Sequence, residues 1–266
     1  MTADKGAARP GPGISPAWRD AEAVVLDTDG VITDSARVHA AAWKTAFDAC
    51  LRDHPPDDPR ERRPFDARDD YLRHVDGRSR LDGAAAFLDS RGLRLPRGSA
   101  DDPPGTGTVC AVAAYKERLF TERLRQQGVD AYPGTVRLLK ELHSRSVPLA
   151  AVSASRHARE LLTHAGVLPF FDALVDGHEA ARLRLTGKPD PALFLEAARR
   201  LGVPPGRCAV VEDALAGVAA GRRGGFALVV GVDRTAGPGT GAALREHGAD
   251  LVVRDLAELL PDAPED

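Results

Sequence analysis

Six short apolar runs dictate what this chain can become: "AVVL" (23–26), "PLAAV" (148–152), "ALV" (173–175), "CAVV" (208–211), "ALVV" (227–230) and "DLVV" (250–253). Helical patterns, with apolar residues three or four apart, fill most of the gaps, at 135–145, 156–165, 190–201 and 214–223. Short apolar runs alternating with helices predict βα units around a buried parallel sheet. No internal repeat interrupts the pattern.

The gap between the first two runs is different. From about 36 to 130 no segment reads as a strand, whereas "SARVHAAAWKTAFDACL" opens a helix with Asp34 or Ser35 as N-cap, and further helices are expected near 66–75, 82–91 and 111–127. Two Pro/Gly-rich patches, "DHPPDDPRERRP" and "LPRGSADDPPGTGT", read as exposed loops. The expected fold class is α/β: a Rossmann-like parallel sheet core flanked by helices over 19–35 and 131–262, with a helical cap domain over 36–130 inserted after the first strand. Residues 1–18, rich in Pro and Gly, read as a disordered tail.

A chain of 266 residues with 43% hydrophobic and 28% charged residues has ample material for a core. Its net charge of −3, and the lack of a basic run interleaved with aromatics, leave a nucleic-acid or membrane-surface role without electrostatic support. Cys50, Cys110 and Cys208 are far apart and show neither metal-ligand nor redox spacing, which suits free thiols in a reducing compartment. The opening segment lacks the apolar core of a signal peptide, and no stretch offers 18 consecutive apolar residues. The expectation is a cytoplasmic monomer.

Ligands of an open parallel sheet bind at the carboxyl ends of its strands, so the residues that end each run matter most. The first run ends in Asp27-Thr28-Asp29-Gly30, with two carboxylates on the same side of an extended backbone. Oxygen-only ligation of that kind suits Mg²⁺, and the same residues also suit a solvated turn. The fourth run ends in Glu212 and Asp213, a second acidic strand end that on its own would pass for the acidic start of a helix. Two such ends in one chain favour a shared metal site. The second run ends in Ser153 and Ser155 before a helix, where hydroxyls and free N–H groups suit a phosphate or an N-cap. Lys188, in "TGKPDPALF", can neutralise a phosphoryl oxygen, although most loop lysines are merely solvated.

Taken in order, "DTDGV" (Asp27, Asp29), "VSAS" (Ser153), "GKPDP" (Lys188) and "VVEDALAGV" (Glu212, Asp213) resemble the four motifs of the haloacid dehalogenase superfamily, over about Ala23 to Val253. The resemblance implies Asp27 as a nucleophile that becomes phosphorylated and Asp29 as general acid/base. It further implies an Mg²⁺ site made by Asp27, the Asp29 backbone carbonyl, Glu212 and Asp213, with Lys188 and Ser153 binding the phosphoryl group. The chemistry agrees, because a carboxylate attacks a phosphate dianion only once positive charge offsets their repulsion.

"DGVITDSARVHAAAWKTAF" is similar to the β-phosphoglucomutase branch of that superfamily. The branch implies that His39 couples cap closure to catalysis and that Trp43 lines the sugar pocket; packing of the cap hinge is the competing role for both. "VDGRSRLDG" resembles its substrate-specificity loop, with Gly77 and Ser79 close to the ligand and Arg80 gripping the distal phosphate, a contact suited to a guanidinium fork. Lys116, in "AAYKERLF", corresponds to a cap lysine that contacts substrate, and Ser153, Ala154, Ser155 and Arg156 would hold the other phosphate. Glu117 and His157 depart from the branch, which often carries Asn at both places. The reaction implied is β-D-glucose 1-phosphate to D-glucose 6-phosphate through the 1,6-bisphosphate. The alternative is a sugar-phosphate phosphatase with the same nucleophile and metal and water as acceptor.

Overall fold

The computed structural model describes Trp18, residues 21–234 and residues 239–260. The chain divides into two compact units, Asp34–Val129 and the remainder on either side of it. The expected tail lies outside the described residues except for Trp18, which is 1% exposed and packs in the core of the flanking unit.

In chain order the elements are β1 (Ala23–Asp27), then α1 (Ala36–Asp53), α2 (Asp69–His74), α3 (Arg80–Ser90) and α4 (Val109–Gln127) of the inserted unit. There follow α5 (Pro133–Ser144), β2 (Leu149–Val152), α6 (Ala158–His164), β3 (Ala173–Val175), α7 (Gly177–Leu183), α8 (Ala192–Leu201), β4 (Cys208–Glu212), α9 (Leu215–Arg223), β5 (Leu228–Val232), α10 (Thr240–Glu246) and β6 (Leu251–Val253). All six expected strands are present and pair in parallel in the order β3-β2-β1-β4-β5-β6.

Period-two alternation splits each strand between two apolar layers. Val24, Leu26, Ala151, Val211 and Val230 face one layer, with Leu138, Leu142 and Leu162 from the helices, and Val25, Val152, Val210 and Val229 face the other, with Phe194 and Val218. The strands are therefore buried on both sides, which is why they read as unbroken apolar runs. β1 lies between β2 and β4, and its register continues to bring Asp27 level with the end of β4.

Two helices were not signalled by apolar periodicity, α7 and α10. For α7 the local device is Asp176, whose carboxylate accepts from the N–H groups of His178 and Glu179, each at 3.0 Å. Conversely, Ser35 stands at the N-cap position of α1 in helical conformation and its side chain does not cap the helix. Within the inserted unit Trp43, Phe47, Phe65, Phe87 and Leu88 form the core, and the buried Asp70 carboxylate is held by Arg63 at 2.8 Å and Arg91 at 2.6 Å. Cys50, Cys110 and Cys208 are buried free thiols. Among the described residues no helix is long and apolar enough to cross a membrane.

On the surface of the sheet unit, Arg200 bridges two helices, donating to Glu196 of α8 at 2.8 Å and to Glu179 of α7. Hydrogen bonds from Arg182 and Arg200 pull Glu179 from its ordinary 4.5 down to about 2, and Arg199 and Arg200 do the same to Glu196 despite some desolvation. A carboxyl with a depressed folded pKa contributes stability that is present above its unfolded value and lost as pH falls through the folded one. Stability should therefore decline between about pH 4.5 and pH 2. Arg200→Gln should make this part of a melting-temperature profile shallower; an unchanged slope would remove the cluster as its source.

Candidate active site

In the sheet unit the expected residues converge at the carboxyl edge. Asp27 ends the central strand, and its Oδ2 accepts from the Asp29 N–H at 2.9 Å. The chain then turns tightly, with the N–H groups of Ile32 and Thr33 donating to the Thr28 carbonyl at 3.0 and 2.9 Å. Thr28 Oγ1 donates to the Val152 carbonyl at 3.0 Å, pinning the end of β1 to that of β2. The turn requires Gly30 twice: φ is +80°, and a Cβ there would run into the Asp213 carboxylate.

Lys188, 1% exposed in its side chain, donates to Asp27 Oδ1 and, at 2.6 Å, to Glu212 Oε2. Glu212 Oε1 accepts from the N–H groups of Asp213 and Ala214 at 3.1 and 3.0 Å. Both oxygens of Glu212 are thus engaged, so its first effect is to aim Lys188. Burial pushes Asp27 well above the ordinary carboxylate range, the Glu212 charge adds to this, and Lys188 offsets only part of it. For Lys188, burial opposes the charge, yet Asp27 and Glu212 more than compensate and its pKa is raised.

Oxygens of Asp27, Glu212 and Asp213 lie within 4.8 Å of one another. Three carboxylates against one ammonium leave a charge of −2, which one divalent cation would neutralise, and an all-oxygen donor set suits a hard ion such as Mg²⁺. The Asp29 carboxylate is not part of that cluster; its Oδ2 accepts from Ser153 Oγ at 3.0 Å. Ser153 Oγ in turn accepts from the Ser155 N–H at 3.0 Å, and Ser155 Oγ from the His157 N–H at 3.2 Å. Ser155 thus bonds within the turn before α6, whose N-cap position is taken by His157. Ala154 and Ser155 are partly exposed and Arg156 is exposed in the same turn.

The expected residues of the inserted unit form a second constellation. His39 on α1 meets Lys116 on α4, Nδ1 to Nζ 2.7 Å, and stacks on Phe120 at 4.0 Å. The Lys116 ammonium lies 4.6 Å from the Phe120 ring centroid and 5.5 Å from that of Trp43. Trp43, expected at a sugar pocket, is 3% exposed and stacked on Phe47 in the core, so its observed contacts are those of packing. Ser79 caps α3, accepting from the Asp82 N–H at 3.2 Å, and Gly77 takes a positive φ of 68° in the preceding turn. Arg80 pairs with Glu117, Nη1 to Oε2 3.0 Å, so the unexpected carboxylate has a partner. Sequence reasoning missed Arg234, whose guanidinium donates to the Gly30 carbonyl at 2.9 Å; nothing in "GVDRTAG" signals that.

The sequence profile of the haloacid dehalogenase-like hydrolases matches residues 21–225. The chain is 44% identical over 238 residues to the β-phosphoglucomutase of Mycobacterium bovis, covering 90% of this chain and 91% of that protein. It is 31% identical over 246 residues to the β-phosphoglucomutase of Bacillus subtilis, with 90% and 91% covered. Among solved structures, the β-phosphoglucomutase of Clostridium difficile matches with a TM-score of 0.67 at 25% identity, over 90% of this chain and 93% of that one.

Proposed function

The chain belongs to the haloacid dehalogenase-like hydrolase family and is an enzyme of the phosphotransferase kind; from that premise we propose that it converts β-D-glucose 1-phosphate to D-glucose 6-phosphate through the 1,6-bisphosphate, with Asp27 as the phosphoryl carrier. The observation that carries the reading is the buried Asp27 carboxylate at the end of the central strand, with Lys188 on one oxygen and Asp29 beside it. Identity to a relative named for that reaction supports the choice of substrate.

In this reading an Asp27 oxygen attacks phosphorus while Lys188 offsets charge on the transferring group. Asp29, held by Ser153, protonates the departing sugar oxygen and, in the second transfer, accepts the proton of the attacking hydroxyl. Mg²⁺ is the proposed cofactor; Asp27, Asp213 and the Asp29 carbonyl would hold it with Glu212 adjacent, and it would supply the positive charge that lets a carboxylate approach a phosphate dianion. Ser153, Ala154, Ser155 and Arg156 are proposed to bind one phosphate, and Arg80 the other, exchanging its Glu117 partner for it. Lys116 is proposed to contact the sugar phosphate, with His39 and Trp43 setting its place.

The test is a product assay with Mg²⁺, β-glucose 1-phosphate and a trace of glucose 1,6-bisphosphate, following glucose 6-phosphate and free phosphate together. Glucose 6-phosphate without phosphate release is expected. Phosphate release that outpaces isomerisation would instead make the chain a phosphatase with water as acceptor. Arg80→Ala should lower mutase kcat/KM by about 10- to 100-fold, the loss of one charge-assisted contact worth about 1.5–3 kcal/mol. Acetyl phosphate hydrolysis should be spared. Equal loss of both activities would assign Arg80 to folding.

A further inference from the structure

Asp27 and Asp29 are two residues apart and are held by different means. Asp27 lies within a strand paired on both sides. Asp29 lies in the turn beyond it, and that turn is gripped by a residue that follows β5, two strands away in the sheet. Arg234, just past β5, donates from Nε to the Gly30 carbonyl at 2.9 Å and from Nη2 to the Val31 carbonyl at 3.2 Å. The same guanidinium is itself fixed. Nη1 donates to the Arg254 carbonyl at 3.2 Å and to Asp255 Oδ2 at 3.1 Å, Nη2 reaches Thr135 Oγ1 at 3.4 Å, and the ring of Tyr132 lies 3.7 Å beneath it. Thr135 Oγ1 donates to the Val31 carbonyl as well, at 2.8 Å.

We propose that Arg234 is a positioning residue for proton transfer: by holding the carbonyls of Gly30 and Val31 it keeps the Asp29 carboxyl where the sugar oxygen needs it. Gly30 and Val31 are buried, so losing the guanidinium takes the Gly30 carbonyl's side-chain donor away, leaves the Val31 carbonyl to Thr135 alone, and invites the turn to rearrange. A lysine would keep the charge without the fork that reaches both carbonyls. The inference rests on the roles given above to Asp27 and Asp29, and it separates them.

The experiment compares two half-reactions in wild type, Arg234→Ala and Arg234→Lys. In the first, acetyl phosphate and Mg²⁺ load the enzyme: an Asp27 oxygen bonds to phosphorus, the bond from phosphorus to acetate breaks, and acetate leaves as a carboxylate that needs no proton. In the second, glucose 1-phosphate chases the label: its C6 oxygen bonds to phosphorus, its proton passes to Asp29, and Asp27 is released as carboxylate. At saturating Mg²⁺, so that a shifted Asp29 carbonyl does not limit metal occupancy, Arg234→Ala should load within about twofold of wild type yet discharge to sugar about 10²-fold more slowly, since both proton transfer and placement are affected. Arg234→Lys should recover part of the discharge rate. Should the alanine variant fail to fold by circular dichroism, the lysine variant carries the same comparison, with a slower discharge and normal loading expected. Discharge at the wild-type rate, or equal slowing of both steps in a folded variant, would overturn the inference. Wild-type enzyme that never loads would overturn the reading of Asp27 and this inference with it, whereas loading followed by normal discharge in the variants overturns this inference alone.

Discussion

Asp27→Asn should lower turnover by about 10⁴-fold or more and abolish the covalent phosphoenzyme, because an amide offers no anionic oxygen to attack phosphorus. The fold should survive, because two effects on stability oppose each other. Burial and the Glu212 charge both press Asp27 toward its neutral form, so replacing the carboxylate by a neutral isostere removes one member of a repelling buried cluster. Lys188 retains Glu212 at 2.6 Å, but the amide keeps only one of the two contacts that Asp27 accepts, because its nitrogen then faces either Lys188 or the Asp29 N–H, donor against donor. These opposing changes should leave the melting temperature measured without added metal close to that of wild type. Incorporation of labelled phosphate together with glucose 6-phosphate formation checks the claim; turnover within tenfold of wild type would remove Asp27 from the role of nucleophile.

Lys188→Met is the second large effect, and here activity and stability fall together. The ammonium is the cation shared by Asp27 and Glu212, all three side chains being almost wholly buried. Its stem runs past Phe194, whose ring centroid is 4.9 Å from Nζ, so methionine can occupy the same space. What is lost is charge. Removing one partner of a buried ion pair typically costs about 3–5 kcal/mol, since the remaining carboxylates stay buried without compensation. Urea denaturation should show that loss, and the double variant Lys188→Met/Glu212→Gln should regain part of the stability and none of the activity. A single variant that loses under about 1 kcal/mol would mean that the carboxylates take up protons at little cost and that the lysine is no structural keystone.

How much of this was legible in the sequence differs between the two units. All strands of the sheet could be read because burial on both faces leaves an unbroken apolar signature, and what followed each run located Asp27, Ser153 and Glu212 at the carboxyl edge. The short helices α7 and α10 escaped notice. Each carries a single large apolar residue, Leu183 or Leu244, so no repeat at three or four positions forms, and α7 depends on the Asp176 cap. Ser35 looked like a cap because its residue type suits one, whereas its backbone is already helical. Contacts made across long stretches of chain leave no local trace at all. The Arg80–Glu117 pair joins the start of α3 to the middle of α4, and Arg234 meets Gly30 across 204 positions. Trp43 was ambiguous for a physical reason: a large aromatic on an amphipathic helix suits a core or a pocket equally.

The antiparallel bridge between Thr33 and Ala131, with the Tyr132 N–H donating to the Ile32 carbonyl at 3.0 Å, brings together the points at which the chain leaves the sheet unit and returns to it. For the polymer, everything between those points is a closed loop. The entropy lost in closing a flexible loop grows only with the logarithm of its length, by about 0.6 kcal/mol per doubling. Segments of very different size can thus be accepted at this junction with little thermodynamic consequence for the strands on either side. Kinetics bear the burden instead. The central strand emerges first during synthesis, and both its neighbours, β2 and β4, follow the insertion, so the sheet cannot zip from its middle until distant chain has been made. The junction thus leaves the length of the inserted segment thermodynamically almost free, while completion of the sheet around the strand carrying Asp27 waits for chain made after it.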